Sequence, residues 1–480
     1  MRVTLFEAIG VTAGCAAAGY FVDDWIAAAA ILVLYLIWKL LDTGDRLYIL
    51  PIALSFQWTQ VTIGMFYSSL FGREMNTINE SDYRPMILIG LGCCLAVTFG
   101  LFIGMKLIKR PDPNEDRPGF AFSMPALVVV YVVTIIAEGS MNALINDNPS
   151  FRQIIVTVDA ARLGILFLIL RRLCHPKLRL SLLLPVVSLE IVLGITGFFA
   201  GFREPIVLTG LALLEIFESR KIRHWFMLGG AGLAAVTIGI LWMGIRGVYR
   251  ADFVQLDNFE TSSRQSRIDR IGGLSTDFVH SDANNVWATT DVFVDRMWAI
   301  YYPALALKRV PDALPYTDGA LWMAALTHVT MPRVFFPNKP QLMSDSEMVR
   351  KYSNVIVAGA DQGTSIAFGY AAESYIDFGI PLMFLPIFGF GLVMGVSYSL
   401  FQKLIWHREL FVGFATVSYW LSLYLFERDL PTTLGVAAGF LIYVGIPTVF
   451  LDRFLLVKYA RKQRDAADEL FLAESGHSHI

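Results

Sequence analysis

The chain alternates apolar stretches of membrane-spanning length with short polar breaks, and it leaves that rhythm only once. Windows near 20 residues predict helices over 4–22, 25–41, 48–71, 85–106, 121–139 and 154–171, then 180–200, 205–219, 225–245, 380–402, 410–426 and 431–451. The first two are divided only by Asp23 and Asp24. Between the ninth and tenth windows lies a polar stretch of about 130 residues, Arg246 to Gly379, far longer than a connector needs. Within Trp287–Val310 the residues Val294, Met297, Trp298, Tyr301 and Leu305 recur at helical spacing, and Leu321–Val329 is similar. Such amphipathic helices rest on a membrane surface and close over a cavity. The pattern predicts an all-α polytopic membrane protein of about 12 transmembrane helices. Its parts are a bundle over 1–245, an extracytoplasmic loop over 246–379, helices over 380–451 and a tail over 452–480.

Basic residues orient this arrangement. Arg2, Lys39, Arg46, Lys106, Lys109, Arg110, Arg117, Arg171, Arg172, Lys177, Arg179, Arg220, Lys221, Arg223, Lys403, Arg408 and the basic cluster after Leu451 fall on one set of ends. The opposite short loops hold only Arg73, Arg84, Arg152, Arg203 and Arg428. The positive-inside rule then puts both termini in the cytoplasm and the large loop outside. The first window reads as a retained span, since no small-residue cleavage site follows Arg2.

Composition agrees: the chain is 55% hydrophobic and 17% charged, against about 25% charged in soluble domains. A net charge of −2 argues against a nucleic-acid partner, which needs a basic stripe. Cys15, Cys93, Cys94 and Cys174 imply no disulfide framework, because the large loop has none of them. The sequence shows no HExxH, paired CxxC or Walker lysine loop, so neither a metal nor a nucleotide cofactor is expected. No internal repeat pairs the two halves.

Four segments carry candidate chemistry. In Gly201-Phe202-Arg203-Glu204-Pro205, an arginine sits in a short outer turn against the charge bias. It either binds an anion or pairs with a neighbouring carboxylate. Arg246 and Arg250 are four residues apart where the ninth span leaves the membrane, with Arg264, Arg267 and Arg270 beyond. They suit an anionic headgroup or a diphosphate, or else snorkel at the interface. His328, Arg333 and Lys339 lie in a segment whose prolines, Pro332, Pro337 and Pro340, predict an extended backbone. His328 is a candidate base or a structural histidine. Finally, Gly369-Tyr-Ala-Ala-Glu373-Ser-Tyr375-Ile-Asp377-Phe-Gly379 puts two carboxylates one turn apart at the outer mouth. Glu373, partly desolvated, is the best general-base candidate, with capping or pairing to an arginine as the alternative. Within the spans, Asp159 and Arg162 are expected to pair. Glu190 has no obvious partner and reads as a buried carboxyl, protonated or hydrogen-bonded.

In its layout, its arginine-bearing short outer loop Gly201–Pro205, its dominant outer loop and the segment Gly369–Gly379, the chain resembles the bacterial O-antigen polymerases (Wzy-type oligosaccharide repeat-unit polymerases). It resembles the O-antigen ligases more distantly. The chain departs from the group in lacking an arginine–ten residues–glycine spacing in the large loop and at Arg203. The resemblance implies a GT-C-like, metal-independent, inverting glycosyltransferase of the bacterial inner membrane. Donor and acceptor would both be polyprenyl-diphosphate-linked oligosaccharides, with a chain-length regulator and a flippase as partners. It implies Arg203, Arg246 and Arg250 at the diphosphate, with Arg333 or Lys339 assisting. Glu373, or His328 in its place, would be the base. Tyr375 and Asp377 would lie at the sugar, and Trp287, Trp298, Tyr301 and Tyr302 would stack on sugar rings. A ligase using the same donor and a transporter of lipid-linked sugars are the rival readings.

Overall fold

The computed structural model describes residues 5–22, 24–44, 46–73, 82–109, 122–147, 151–175, 178–195, 203–218, 220–252, 263–333, 335–336, 338–359 and 365–458. Helices α1 (Leu5–Val22) and α2 (Trp25–Leu41) are separate because Asp24 caps the second: its carboxylate accepts the Ile26 N–H at 2.9 Å. Helix α3 (Ile49–Phe71) stops at Gly72, whose φ of 58° is the left-handed conformation glycine supplies most cheaply. Next come α4 (Arg84–Leu107), with proline in its first turn, and α5 (Met124–Asp147). The sixth apolar window forms two helices, α6 (Arg152–Ala160) and α7 (Arg162–Cys174), meeting at Ala161. Helices α8 (Leu180–Ile195), α9 (Arg203–Glu215) and α10 (Ile222–Arg250) complete the part before the large loop.

That loop contains helices α11 (Arg264–Val279), α12 (Ala283–Met297), α13 (Tyr301–Leu307), α14 (Ala320–Thr330), α15 (Asp345–Ser353) and α16 (Tyr370–Phe378). The chain ends with α17 (Phe384–Leu404), α18 (Arg408–Leu423) and α19 (Leu430–Gly439), which passes through a π turn at Phe440–Gly445 and runs on to Lys458. Among the described residues, each apolar window falls mainly on helix and no strand occurs. Among them, six helices are long and apolar enough to cross a membrane: Ile49–Phe71, Arg84–Leu107, Arg152–Cys174, Ile222–Arg250, Phe384–Leu404 and Leu430–Lys458. The protein is therefore an all-helical membrane-type protein. Of the tail, 452–458 continues the last helix, and 459 onward lies outside the described residues.

The first and last parts of the chain meet where α4 crosses α17 backbone to backbone. A Cβ on Gly100 would lie 2.3 Å from the Phe388 carbonyl oxygen, and one on Gly104 2.3 Å from that of Leu392. Reciprocally, a Cβ on Gly391 would meet the Val97 oxygen at 2.5 Å, and one on Gly395 the Leu101 oxygen at 2.3 Å. Two glycines four residues apart on each helix thus allow an approach that no side chain permits.

The loop helices fold back onto the spans. The expected amphipathic segment Trp287–Val310 is divided between α12 and α13, and Trp298–Ile300 dips into the core between them. Trp298 is buried and its Nε1 donates to the Val61 carbonyl at 3.3 Å, while the Ala299 N–H donates to that of Gln60 at 3.0 Å. Trp298 thus packs against α3 and Tyr83 rather than presenting a face for sugars, because backbone acceptors in α3 take its indole proton. Glu190 is buried, as expected, but it has a partner that the sequence did not suggest: its Oε2 lies 4.0 Å from Arg162, which stands 3.9 Å from Asp159, its expected partner. One guanidinium serves both carboxylates.

Candidate functional site

The turn joining α18 to α19, Tyr424–Asp429, is fixed from two sides. From α3, the Gln57 amide donates to the Leu423 carbonyl, and Gln60 Oε1 accepts the Phe426 N–H at 2.7 Å. From α16, the Tyr370 N–H donates to the Arg428 carbonyl at 2.7 Å, and the Tyr370 hydroxyl donates to Gln57 Oε1 at 2.7 Å. Buried glutamines on a span are costly unless they are hydrogen-bonded, and here each gives one amide atom to the backbone at this turn, while Tyr370 occupies the other oxygen of Gln57. Gly369, at φ +91°, lets α16 approach: a Cβ there would stand 2.8 Å from the Phe426 oxygen.

Glu373 closes the same joint. Its Oε2 accepts the Leu430 N–H at 3.0 Å, while Asp429 accepts that of Thr432 at 3.0 Å, so both carboxylates serve the start of α19. Glu373 is 5% exposed, buried beneath the turn rather than open at the mouth as expected. Burial, and then the charge of Asp429, push its carboxyl well above the ordinary carboxylate range. Asp429 is raised too, by burial and then by Asp345.

The turn also gathers guanidiniums and their carboxylate partners around one aromatic ring. Trp420 stacks on Tyr424 with centroids 4.6 Å apart and 19° between planes. Two guanidiniums lie against Tyr424, with Arg203 and Arg428 Cζ each 5.4 Å from the ring centroid. Arg203 Nη2 donates to the Tyr424 hydroxyl at 3.2 Å, and Arg428 Nη1 donates to the Leu421 carbonyl at 2.5 Å. Glu427 pairs at 3.1 Å with Arg296, at the end of α12. Arg296 in turn stands within electrostatic reach of Arg246, as does Arg250 one turn further along α10. Glu204, Glu427 and Asp429 are the carboxylates that act on Arg203 and Arg428. The Arg203 and Arg296 side chains are 47% and 56% exposed, so an anion can reach them.

Of the expected residues, Arg203 stands at the Tyr424 turn, while Arg246 and Arg250 lie on α10 on the far side of Arg296, which pairs with Glu427. Gly201 and Phe202, which precede Arg203, lie outside the described residues. His328, Arg333 and Lys339 form a group of their own on α14 and the segment after it. Lys339 Nζ donates to the His328 carbonyl at 2.9 Å. His328 is on helix rather than extended backbone, because the first proline comes only at 332 and α14 runs to Thr330. Burial, then Lys339 and Arg333, lower its pKa, so the imidazole is neutral at neutral pH.

Asp377 is fully buried. Its Oδ1 accepts from Thr317 Oγ1 at 2.5 Å and from the Leu321 N–H at 3.0 Å, and its Oδ2 from the Trp322 N–H at 2.8 Å. Tyr375, also buried, donates its hydroxyl to the Val310 carbonyl at 2.8 Å. Both hold α16 against α13 and α14. Their polar atoms are occupied because each faces the backbone end of a neighbouring helix.

Sequence reasoning missed Tyr424, Arg428, Arg296, Gln57 and Gln60. Arg428 carries the same signal that singled out Arg203, a guanidinium in a short loop against the charge bias. Nothing in the residue pattern marks the two glutamines as holding that loop. No group of three or more His, Cys, Asp or Glu side chains suited to a metal ion occurs among the described residues.

No curated protein and no solved structure matches the chain. One family model does: it matches residues 94–405, from within α4 to the end of α17, which is most of the chain, and the protein belongs to this domain-of-unknown-function family (DUF8712).

Proposed function

We propose that the protein polymerises polyprenyl-diphosphate-linked oligosaccharides on the outer face of a bacterial inner membrane, as a metal-independent inverting glycosyltransferase. In this reading about 12 helices cross the membrane, both termini are cytoplasmic, and the large loop with the α18–α19 turn faces outward. The observation that carries it is the pair of guanidiniums on Tyr424, with Arg296 held nearby through Glu427. Transfer of a sugar from a lipid diphosphate leaves negative charge on the departing diphosphate, and fixed guanidiniums at a membrane face stabilise it as it develops.

The acceptor hydroxyl oxygen bonds to the anomeric carbon while the anomeric C–O bond to the diphosphate breaks. The electron pair leaves with the diphosphate, and the hydroxyl proton passes to a base. Glu373, the base expected from the sequence, does not fill that role: it is buried beneath the turn, its Oε2 is taken by the Leu430 N–H and it keeps its own proton, so the hydroxyl proton leaves to water at the membrane face. The test is the surface-glycan ladder of the source bacterium with the gene deleted, restored, and restored as Arg203→Lys or Arg428→Lys. Deletion should leave single repeat units, and the lysine variants, present at normal levels, should fail to rebuild the ladder. A full ladder from both variants refutes the site, and long lipid-linked chains accumulating on deletion make the protein a ligase.

A second reading rests on a different observation. Glu190 and Asp159 share Arg162 inside the bundle, beside the break between α6 and α7. Interrupted helices with buried ionisable groups are common in transporters. Lipid-linked units accumulating unextended on the cytoplasmic side of the deletion strain would favour it.

A further inference from the structure

The group on α14 lies at a depth that can be worked out. The helix running from Leu430 to Lys458 has 29 residues, or about 43 Å at 1.5 Å per residue. A bilayer is about 30 Å across its hydrocarbon core and about 40–45 Å with headgroups. The first ~6 Å of that helix therefore stand in the headgroup layer. Val329, near the end of α14, packs there: a Cβ on Gly435 would meet Val329 Cγ2 at 3.8 Å. Gly435 is about 7.5 Å along the helix from Leu430, so the end of α14 meets the boundary between headgroups and acyl chains.

At that boundary the surface is divided in two ways. Met323, Leu326, Phe335 and Phe336 are exposed, Phe335 at 76%, an apolar edge of the kind that enters the acyl region. Beside it stand His328, Arg333 and Lys339, with Lys339 tied to the end of α14 through the His328 carbonyl. The charges that act on His328 and Lys339 come from within this group, and no carboxylate is among them. Two cations and a histidine that share no carboxylate among the described residues, next to exposed aromatics at headgroup depth, match an anionic amphiphile.

We propose that the end of α14 with Arg333, Phe335, Phe336 and Lys339 binds the phosphate of an anionic phospholipid headgroup in the adjacent leaflet. Arg333 and Lys339 contact the phosphate, and Phe335 and Phe336 lie among the acyl chains. The site stands apart from the guanidiniums at Tyr424, and it gives to a phospholipid Arg333 and Lys339, which the resemblance puts beside the diphosphate.

The test uses the full chain in nanodiscs of phosphatidylcholine alone or mixed with phosphatidylglycerol, with retained lipid counted by native mass spectrometry. The wild type should retain phosphatidylglycerol in preference to phosphatidylcholine. Arg333→Gln should weaken that retention by about fivefold, the factor for one cation near a membrane surface, with an unchanged melting temperature. The paired change Phe335→Ser with Phe336→Ser should weaken it as well, and millimolar inorganic phosphate should leave the lipid in place. Wild-type retention by Arg333→Gln overturns the proposal. Displacement by inorganic phosphate, with the aromatic pair dispensable, also overturns it, by showing a site for free phosphate instead.

Discussion

Replacing Gly395 by alanine tests whether the α4–α17 crossing holds the bundle in the form that positions the Tyr424 turn. The new Cβ would stand 2.3 Å from the Leu101 carbonyl oxygen and 2.9 Å from its carbonyl carbon and Cα, all backbone atoms that no rotamer can clear. Reaching ordinary contact at 3.4 Å means parting the helices by about 1.1 Å, enough to forfeit about half of the dispersion energy of the atoms it separates. Overpacking of this kind costs about 1–3 kcal/mol. Alanine also gains about 1 kcal/mol over glycine in helix propensity, which would mask part of the loss. Gly389, on the same helix, removes that ambiguity, because a Cβ there meets nothing within 4 Å. Gly389→Ala takes the propensity gain without the collision, so the difference between the two variants isolates the crossing. Thermal unfolding of both in one detergent should place Gly395→Ala below Gly389→Ala by about 1–3 kcal/mol. Equal stabilities would show that the helices part freely and refute the reasoning.

Two further outcomes follow from the carboxylates of α16. Glu373→Gln keeps an acceptor for the Leu430 N–H but has no proton to lose; because the folded protein holds the Glu373 proton that the unfolded chain releases near pH 4.5, wild-type stability should fall as pH rises above that value. The variant should match the wild type in acid and exceed it increasingly toward alkaline pH, and parallel melting curves across that range would remove the burial argument. Asp377→Ala strips the acceptor from Thr317, Leu321 and Trp322 and should cost about 2 kcal/mol or more, read as faster amide exchange over α14; unchanged exchange would show that the cap does not hold the helix.

The apolar windows made the helices legible, because lipid and core select the same residues at the same length. They did not show where a window would divide. Ala161 between α6 and α7 carries no proline or glycine, and only the pairing of Arg162 with Asp159 and Glu190 accompanies the break. The glycines of Gly100-Leu-Phe-Ile-Gly104 and Gly391-Leu-Val-Met-Gly395 could have been read as close-packing faces, yet nothing local says that each is the other's partner. For the site, exceptions to the charge bias pointed to Arg203 and equally to Arg428. Trp298 misled, because an aromatic at helical spacing looks the same whether it faces a ligand or the carbonyl of Val61. Asp377 misled for a related reason: a carboxylate one turn from another on paper becomes a cap once a third helix ends against it.

The pinning of the α18–α19 turn bears on how an anion would be captured there. Its backbone is tied to α3 and α16 in the free protein, so Arg428 and Tyr424 stand on a frame already ordered before any ligand arrives. Binding to a preformed set of donors loses little conformational entropy, and it requires no closing motion of that turn. Capture at such a site has the kinetics of a fixed receptor in a two-dimensional fluid, with arrival set by lateral diffusion and residence set by the guanidinium contacts alone.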